Sequence, residues 1–227
     1  NPEHGRPFRE DDPMGGHDPY SASKGAAELV TASFRDSFFA DGALVASARA
    51  GNVIGGGDWA EDRIIPDAVR AVTSGAAVVV RNPRAIRPWQ HVLSPLSGYL
   101  ALGAALLNGD RTKAAAWNFG PDPAAGDRTG QWVVERFLDD WGAGRWEQAP
   151  GSTPAPHEAG HLSLDSGKAR AELGWGPVWA AQRAVRESAE WYREYYRAPA
   201  RARELVDDQL EAFERDAAAA GVAWART

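Results

Sequence analysis

Cysteine is absent from this 227-residue chain, which excludes disulfides, thiolate nucleophiles and Cys-ligated metals. Lysine is almost absent: apart from Lys24, Lys113 and Lys168 every fixed cation is an arginine, and no basic block forms. With a net charge of −6, the chain has no electrostatic footprint for nucleic acid. Long apolar runs are also lacking, and the opening Asn1-Pro2-Glu3-His4-Gly5 is polar. The expectation is therefore no membrane span, no signal peptide and the cytoplasm as default compartment. What is present is an ordinary globular composition, 44% hydrophobic and 25% charged.

Short apolar runs alternate with helical periodicities, which predicts an α/β fold with a largely parallel sheet. Residues 1–19 read as loop, broken by Pro7, Pro13, Gly15, Gly16 and Pro19. A helix is expected from Ser21 to Phe39, with Ala26, Val30, Phe34 and Phe38 on its buried face. A strand follows within Ala43 to Val53, ended by Gly55-Gly56-Gly57-Asp58. Further helices are expected over 64–73, 93–107, 129–141 and 181–196, with strands over 77–81 and 116–120. Residues 142–164 read as an irregular connection, and Asp165 as the N-cap of a short helix stopped by Gly174. The expected organisation is a Rossmann-like remnant over 1–120, with 58–90 reaching into a substrate lobe that occupies 121–200, and a helical tail over 201–227.

The most informative local pattern is Tyr20-Ser-Ala-Ser-Lys24. Four residues apart on a helix, the phenol and the ammonium share one face. A free phenol ionises near pH ~10 and is a poor base at neutral pH; a neighbouring cation favours the phenolate. Two other patterns are decoys. His157-Glu158-Ala-Gly-His161 spells a zinc-protease motif, but Pro154, Pro156 and Gly160 oppose the helix it needs, so no metal site is expected. Ser21-Ala-Ser-Lys24 spells an acyl-enzyme motif without its companion segments.

Tyr-x-x-x-Lys followed by a strand ending Asn52-Val53-Ile-Gly resembles the extended short-chain dehydrogenase/reductases. Arg49-Ala-Gly-Asn52-Val-Ile-Gly-Gly-Gly-Asp58-Trp59, Arg81-Asn-Pro-Arg-Ala-Ile-Arg87-Pro-Trp-Gln-His-Val and Trp117-Asn118-Phe-Gly-Pro narrow the resemblance to the CDP-glucose 4,6-dehydratase family. Pro156-His157-Glu158-Ala159 and Asp165-x-x-Lys168-Ala continue it to about Tyr196.

That resemblance implies a partial doubly wound sheet lacking its N-terminal half, a smaller C-terminal substrate-binding lobe, NAD as cofactor and CDP-glucose as substrate. It implies Tyr20 as the base at the sugar 4-hydroxyl, Lys24 on the phenolate and the nicotinamide ribose, and Asn52 and Val53 beside the cofactor. Asn52, Arg63, Ile64, Arg81, Arg87, Asn118 and His157 are the implied substrate contacts, with Arg81 and Arg87 on the pyrophosphate. Arg81 reads equally as a solvated cation, Asn118 as a strand terminus, and Trp59 and Trp89 as core. A glycine-rich turn between a first strand and first helix, the usual pyrophosphate cradle, is not in the sequence. Neither is the family segment that acts at C5 and C6. The expectation is a fragment inactive alone, with the intact enzyme a homo-oligomer. The alternatives are a dTDP-sugar dehydratase or epimerase, and a non-catalytic fragment.

Overall fold

The computed structural model describes residues 6–122, 124, 126, 128–151 and 159–225. The Tyr20 helix, α1, spans Pro19–Phe38. Asp18 starts it: one carboxylate oxygen accepts the Ser21 N–H at 2.9 Å and the other the Ser21 hydroxyl at 2.6 Å, with proline at the first helical position. The apolar stretch after it gives two strands, β1 (Ser47–Ala50) and β2 (Asn52–Ile54), parted at Gly51. A Cβ at Gly51 would stand 2.4 Å from the Pro88 carbonyl oxygen, so only glycine lets the two backbones approach.

The chain continues as α2 (Ile64–Ser74), β3 (Val78–Val80), β4 (Ile86–Arg87), β5 (Trp89–His91) and α3 (Leu93–Leu107). Then come β6 (Ala116–Phe119), β7 (Arg128–Thr129), α4 (Gly130–Trp141), β8 (Trp146–Gln148), α5 (Gly167–Leu173), α6 (Ala181–Arg197) and α7 (Ala202–Ala219). Strands β1 and β6, β2 and β5, and β3 and β8 pair in parallel, whereas β4 and β7 pair antiparallel. The parallel α/β architecture is as expected. Strand β8 lies in the stretch expected to be irregular; Trp146 anchors it against the core, and its backbone completes β3. The short helix begins one residue later than expected: Ser166 is its cap residue, and Asp165 accepts the Gly167 N–H at 2.7 Å.

Two apolar clusters hold these pieces. One gathers α2, β3, α4 and α6 around Val69, Phe137, Val185 and Tyr192. The other joins β6 to α3 and α5 through Leu102, Trp117, Phe119, Ala169 and Trp175. Helix α1 belongs to neither. Its expected buried stripe is turned outward, with Val30, Phe34 and Phe38 at 55%, 52% and 71% exposure. The face it turns inward is polar, led by Glu28. No helix among the described residues is long and apolar enough to cross a membrane.

Candidate active site

Helix α1 is attached to the body of the chain by charge. Arg49 on β1 presents its fork to Glu28, donating from Nε to Oε1 and from Nη2 to Oε2, each at 2.9 Å. Ser47 donates to the same carboxylate at 2.6 Å. These donors, Arg49 foremost, hold the Glu28 carboxyl below its ordinary range despite partial burial. Arg49 also donates to the Glu10 carbonyl at 3.2 Å, and the Glu10 carboxylate accepts the Asn118 N–H at 2.8 Å. Glu28 stands one helical turn beyond Lys24, which stands one turn beyond Tyr20, so the clamp sets the direction of the Tyr20–Lys24 face.

That face borders a cleft of about 610 Å³ lined by Tyr20, Lys24, Glu28, Arg49 and Asn118. The Lys24 ammonium lies 5.5 Å from the centre of the Tyr20 ring, and Tyr20 is 71% exposed. Asn118 is fully buried at the cleft floor. Its amide nitrogen donates to the carbonyls of Phe8 and Asp165 at 3.0 and 3.3 Å, clasping the N-terminal loop to the segment before α5. Its Oδ1 has no hydrogen-bond partner.

A second cavity, about 590 Å³, is lined by Arg87, Arg128, His161, Trp89 and Trp179. The two cavities share Leu162 and Leu164, so a single loop segment forms a wall of both. Arg87 is 9% exposed, and its Nη1 donates to the Ile86 carbonyl at 2.7 Å.

The remaining expected residues that the structure describes line neither cavity. Asn52 and Val53 sit on β2, paired with Trp89 and Gln90. Arg63 precedes α2 and pairs with Asp58 at 2.9 Å, while Ile64 packs on the larger core. Arg81 is exposed and pairs with Asp62 at 3.2 Å. His157 and Glu158 lie outside the described residues; His161 lines the Arg87 cavity.

The glycine-rich turn after β2 serves packing. A Cβ on Gly56 would fall 2.2 Å from the Trp191 ring. The Asp58 N–H donates to the Tyr192 hydroxyl at 2.9 Å, and that hydroxyl donates back to the Asp58 carbonyl at 2.5 Å. Burial pushes the Tyr192 phenol up to about 12, so it stays protonated as this donor. Trp59 packs on the rings of Tyr192, Tyr195 and Tyr196. The turn is thus packed against α6. In Gln90-His91, Gln90 donates to the Phe119 carbonyl at 2.7 Å, tying β5 to β6. Burial alone lowers His91 to about 3, keeping its ring neutral beside Trp179.

Parallel strands covered by helices, with a Tyr/Lys helix bordering a cleft beside them, define a Rossmann-like α/β protein. The chain belongs to the NAD dependent epimerase/dehydratase family, whose model matches residues 1–114. It is 45% identical over 197 residues to CDP-glucose 4,6-dehydratase of Salmonella typhimurium. The match covers 84% of this chain and 54% of that protein, so the chain spans about half the length of the curated relative. Among solved structures it is similar to dTDP-glucose 4,6-dehydratase from Streptomyces venezuelae, crystallised with NAD (TM-score 0.70, 22% identity, 83% of this chain and 55% of that one). It is also similar to UDP-glucose 4-epimerase from Stenotrophomonas maltophila with bound NAD (TM-score 0.71, 18% identity, 87% and 61%). At those identities the shared feature is the fold.

Sequence reasoning missed Glu28, Arg49 as its partner, and Arg128. Arg49 was legible within a family segment, but a carboxylate on a predicted helix carries no local sign of a strand partner 21 residues away.

Proposed function

We propose that this chain supplies the base-bearing helix and the substrate lobe of a nucleotide-sugar 4,6-dehydratase acting on CDP-glucose. The observation that carries the reading is the shared wall. Tyr20 and Lys24 border one cavity and Arg87 the other, and Leu162 and Leu164 line both. A nucleotide diphosphate held by Arg87 reaches across that wall with its sugar toward Tyr20.

In this reading the Tyr20 phenolate takes the proton of the 4-hydroxyl, and Lys24 stabilises the phenolate and orients the nicotinamide ribose. Bound NAD supplies the acceptor for the C4 hydride and its donor when the hydride returns to C6. Between those events C5 loses a proton, C6 loses its hydroxyl and water leaves; as the hydride reaches C6 a proton is returned to C5, leaving the 4-keto-6-deoxy sugar. The open Tyr20–Lys24 cleft suits the nicotinamide end of the cofactor. The packed turn at Gly56 does not suit its pyrophosphate, and no other glycine-rich strand–helix turn occurs among the described residues. In this reading the pyrophosphate cradle would come from the part of a full-length enzyme that this chain does not span.

A chimera joining the N-terminal half of the Salmonella enzyme to this chain tests the proposal. It is expected to convert CDP-glucose to the 4-keto-6-deoxy sugar in preference to dTDP- and UDP-glucose. Tyr20→Phe is expected to lower turnover at least ~100-fold with nucleotide binding retained. A folded, NAD-binding chimera that turns over only dTDP- or UDP-glucose would move the assignment to another branch of the family. An unchanged rate in Tyr20→Phe would remove Tyr20 from the chemistry.

A further inference from the structure

We infer that Asp216, on the C-terminal helix α7, is a positioning residue for the 590 Å³ cavity: it orients the indole of Trp179 on the cavity wall, and through that ring sets the affinity for the nucleotide. The identity of the ligand rests on the nucleotide-sugar reading; the orientation of Trp179 stands apart from it. Trp179 belongs to the turn of residues 177–181 that leads into α6 and lines the cavity along its whole length. The indole N–H donates to Asp216 Oδ2 at 2.9 Å. The rings of Phe213 on α7 and His91 on β5 stand edge-on to it, with centroids 5.1 and 4.9 Å away. The Arg183 guanidinium lies 4.7 Å from the ring centre.

Burial alone does not call for such an acceptor. Trp191 is buried too, and its indole nitrogen has no hydrogen-bond partner among the described residues. Trp179 instead meets a carboxylate that is itself fixed. Arg183 Nη1 pairs with the same Asp216 oxygen at 2.7 Å, while Arg183 Nε pairs with Glu187 at 3.1 Å. Arg183 and Glu187 both stand on α6, so the acceptor is tied to the helix that the turn enters. A charge-assisted hydrogen bond fixes the direction of the ring, which apolar contact leaves open. A wall residue whose rotamer is locked from behind keeps the cavity in its binding shape. Asp216 is not among the described residues that line the cavity, so it acts through the ring.

The sign of the charge separates this role from electrostatics. Removing a carboxylate near the site of a diphosphate should by itself favour the anion, whereas losing the indole's acceptor should weaken binding. Asp216→Asn loses the charge and keeps an acceptor; Asp216→Ala loses both. Leu205, Phe213 and Ala217 are the buried residues of α7, so neither substitution removes its apolar anchor.

Two measurements on this chain test the inference, with circular dichroism establishing that each variant is folded. The first needs no ligand: the Trp179 indole N–H resonance, assigned by its loss in Trp179→Phe, is followed by nitrogen–proton correlation spectroscopy. Its exchange with solvent is expected to be at least roughly tenfold faster in Asp216→Ala and close to the parent in Asp216→Asn. The second is isothermal titration with CDP. Asp216→Ala is expected to weaken binding roughly 3- to 10-fold, and Asp216→Asn to bind at least as tightly as the parent. In a Trp179→Phe background, Asp216→Ala is expected to cause no further loss, because the ring it orients is gone. Asp208→Asn, on the exposed face of α7, is the charge control and is expected to change neither readout. Unchanged indole exchange and CDP affinity in Asp216→Ala, or an Asp216→Asn variant as weak as Asp216→Ala, would overturn the inference. A parent chain that binds no CDP, with indole exchange still accelerated in Asp216→Ala, would overturn the nucleotide reading and leave Asp216 as the residue that sets the ring.

Discussion

Replacing Glu28 by Gln should loosen α1 while leaving the rest of the chain folded. No residue of that helix is fully buried, so its attachment depends on the fork from Arg49 and the Ser47 hydroxyl. The Glu28 and Arg49 side chains are 18% and 22% exposed, enough for solvent to screen part of the attraction. Charge-assisted hydrogen bonds contribute about 1.5–3 kcal/mol, and the exposure places this pair near the low end, about 1.5–2 kcal/mol. Converted to an opening equilibrium, that is roughly a 10- to 30-fold loss of hydrogen-exchange protection across residues 19–38.

The assay is hydrogen exchange read by mass spectrometry, with peptides from α4 and α6 as internal references. The sign with pH follows from the lowered Glu28 value. Its stabilisation is complete above the ordinary carboxylate value of 4.5 and is lost as pH falls through the lower folded value. Wild-type α1 should therefore lose protection in acid, whereas the Gln variant should show a flatter profile. Unchanged exchange in α1 at neutral pH, or an equal loss in α4 and α6, would refute the view that this clamp attaches the helix.

His91, lowered to about 3 by burial, should leave the folded chain one proton short of the unfolded chain between pH about 6.5 and 3. Stability then falls with acidification by about 1.4 kcal/mol per pH unit for this group. Urea melts of His91→Asn at pH 7 and pH 5 should show a smaller acid loss than the parent; an identical loss would show that His91 is not the group. Gly56→Ala should destabilise by about 1–3 kcal/mol, because its Cβ meets the Trp191 ring at 2.2 Å, and thermal unfolding followed by circular dichroism reads it. A melting temperature equal to the parent's would mean that the turn can withdraw from α6.

Much of this molecule was legible before its fold. Periodicity located α3 and α4 over their full extent and all but the last residue of α2 and α6. Family segments pointed to Tyr20, Lys24 and Arg87, which do line cavities. What it misjudged was burial on α1: a four-residue apolar repeat marks a face that wants cover, but not whether this chain contains the cover. Nor could a motif tell chemistry from packing. Gly55-Gly56-Gly57-Asp58-Trp59 reads as a functional loop, yet its glycine admits Trp191 and its backbone clasps Tyr192.

Local order is written in the sequence because helix periodicity, caps and strand runs depend on residues a few positions apart. The Asp18 cap and the Tyr20–Lys24 spacing are of that kind. Tertiary structure alone decided that Glu28 meets Arg49, that Arg87 faces Arg128 across a two-residue ladder, and that Leu162 and Leu164 wall two cavities at once. Those pairings join residues tens of positions apart, and nothing in the local chain sets the register that brings them together.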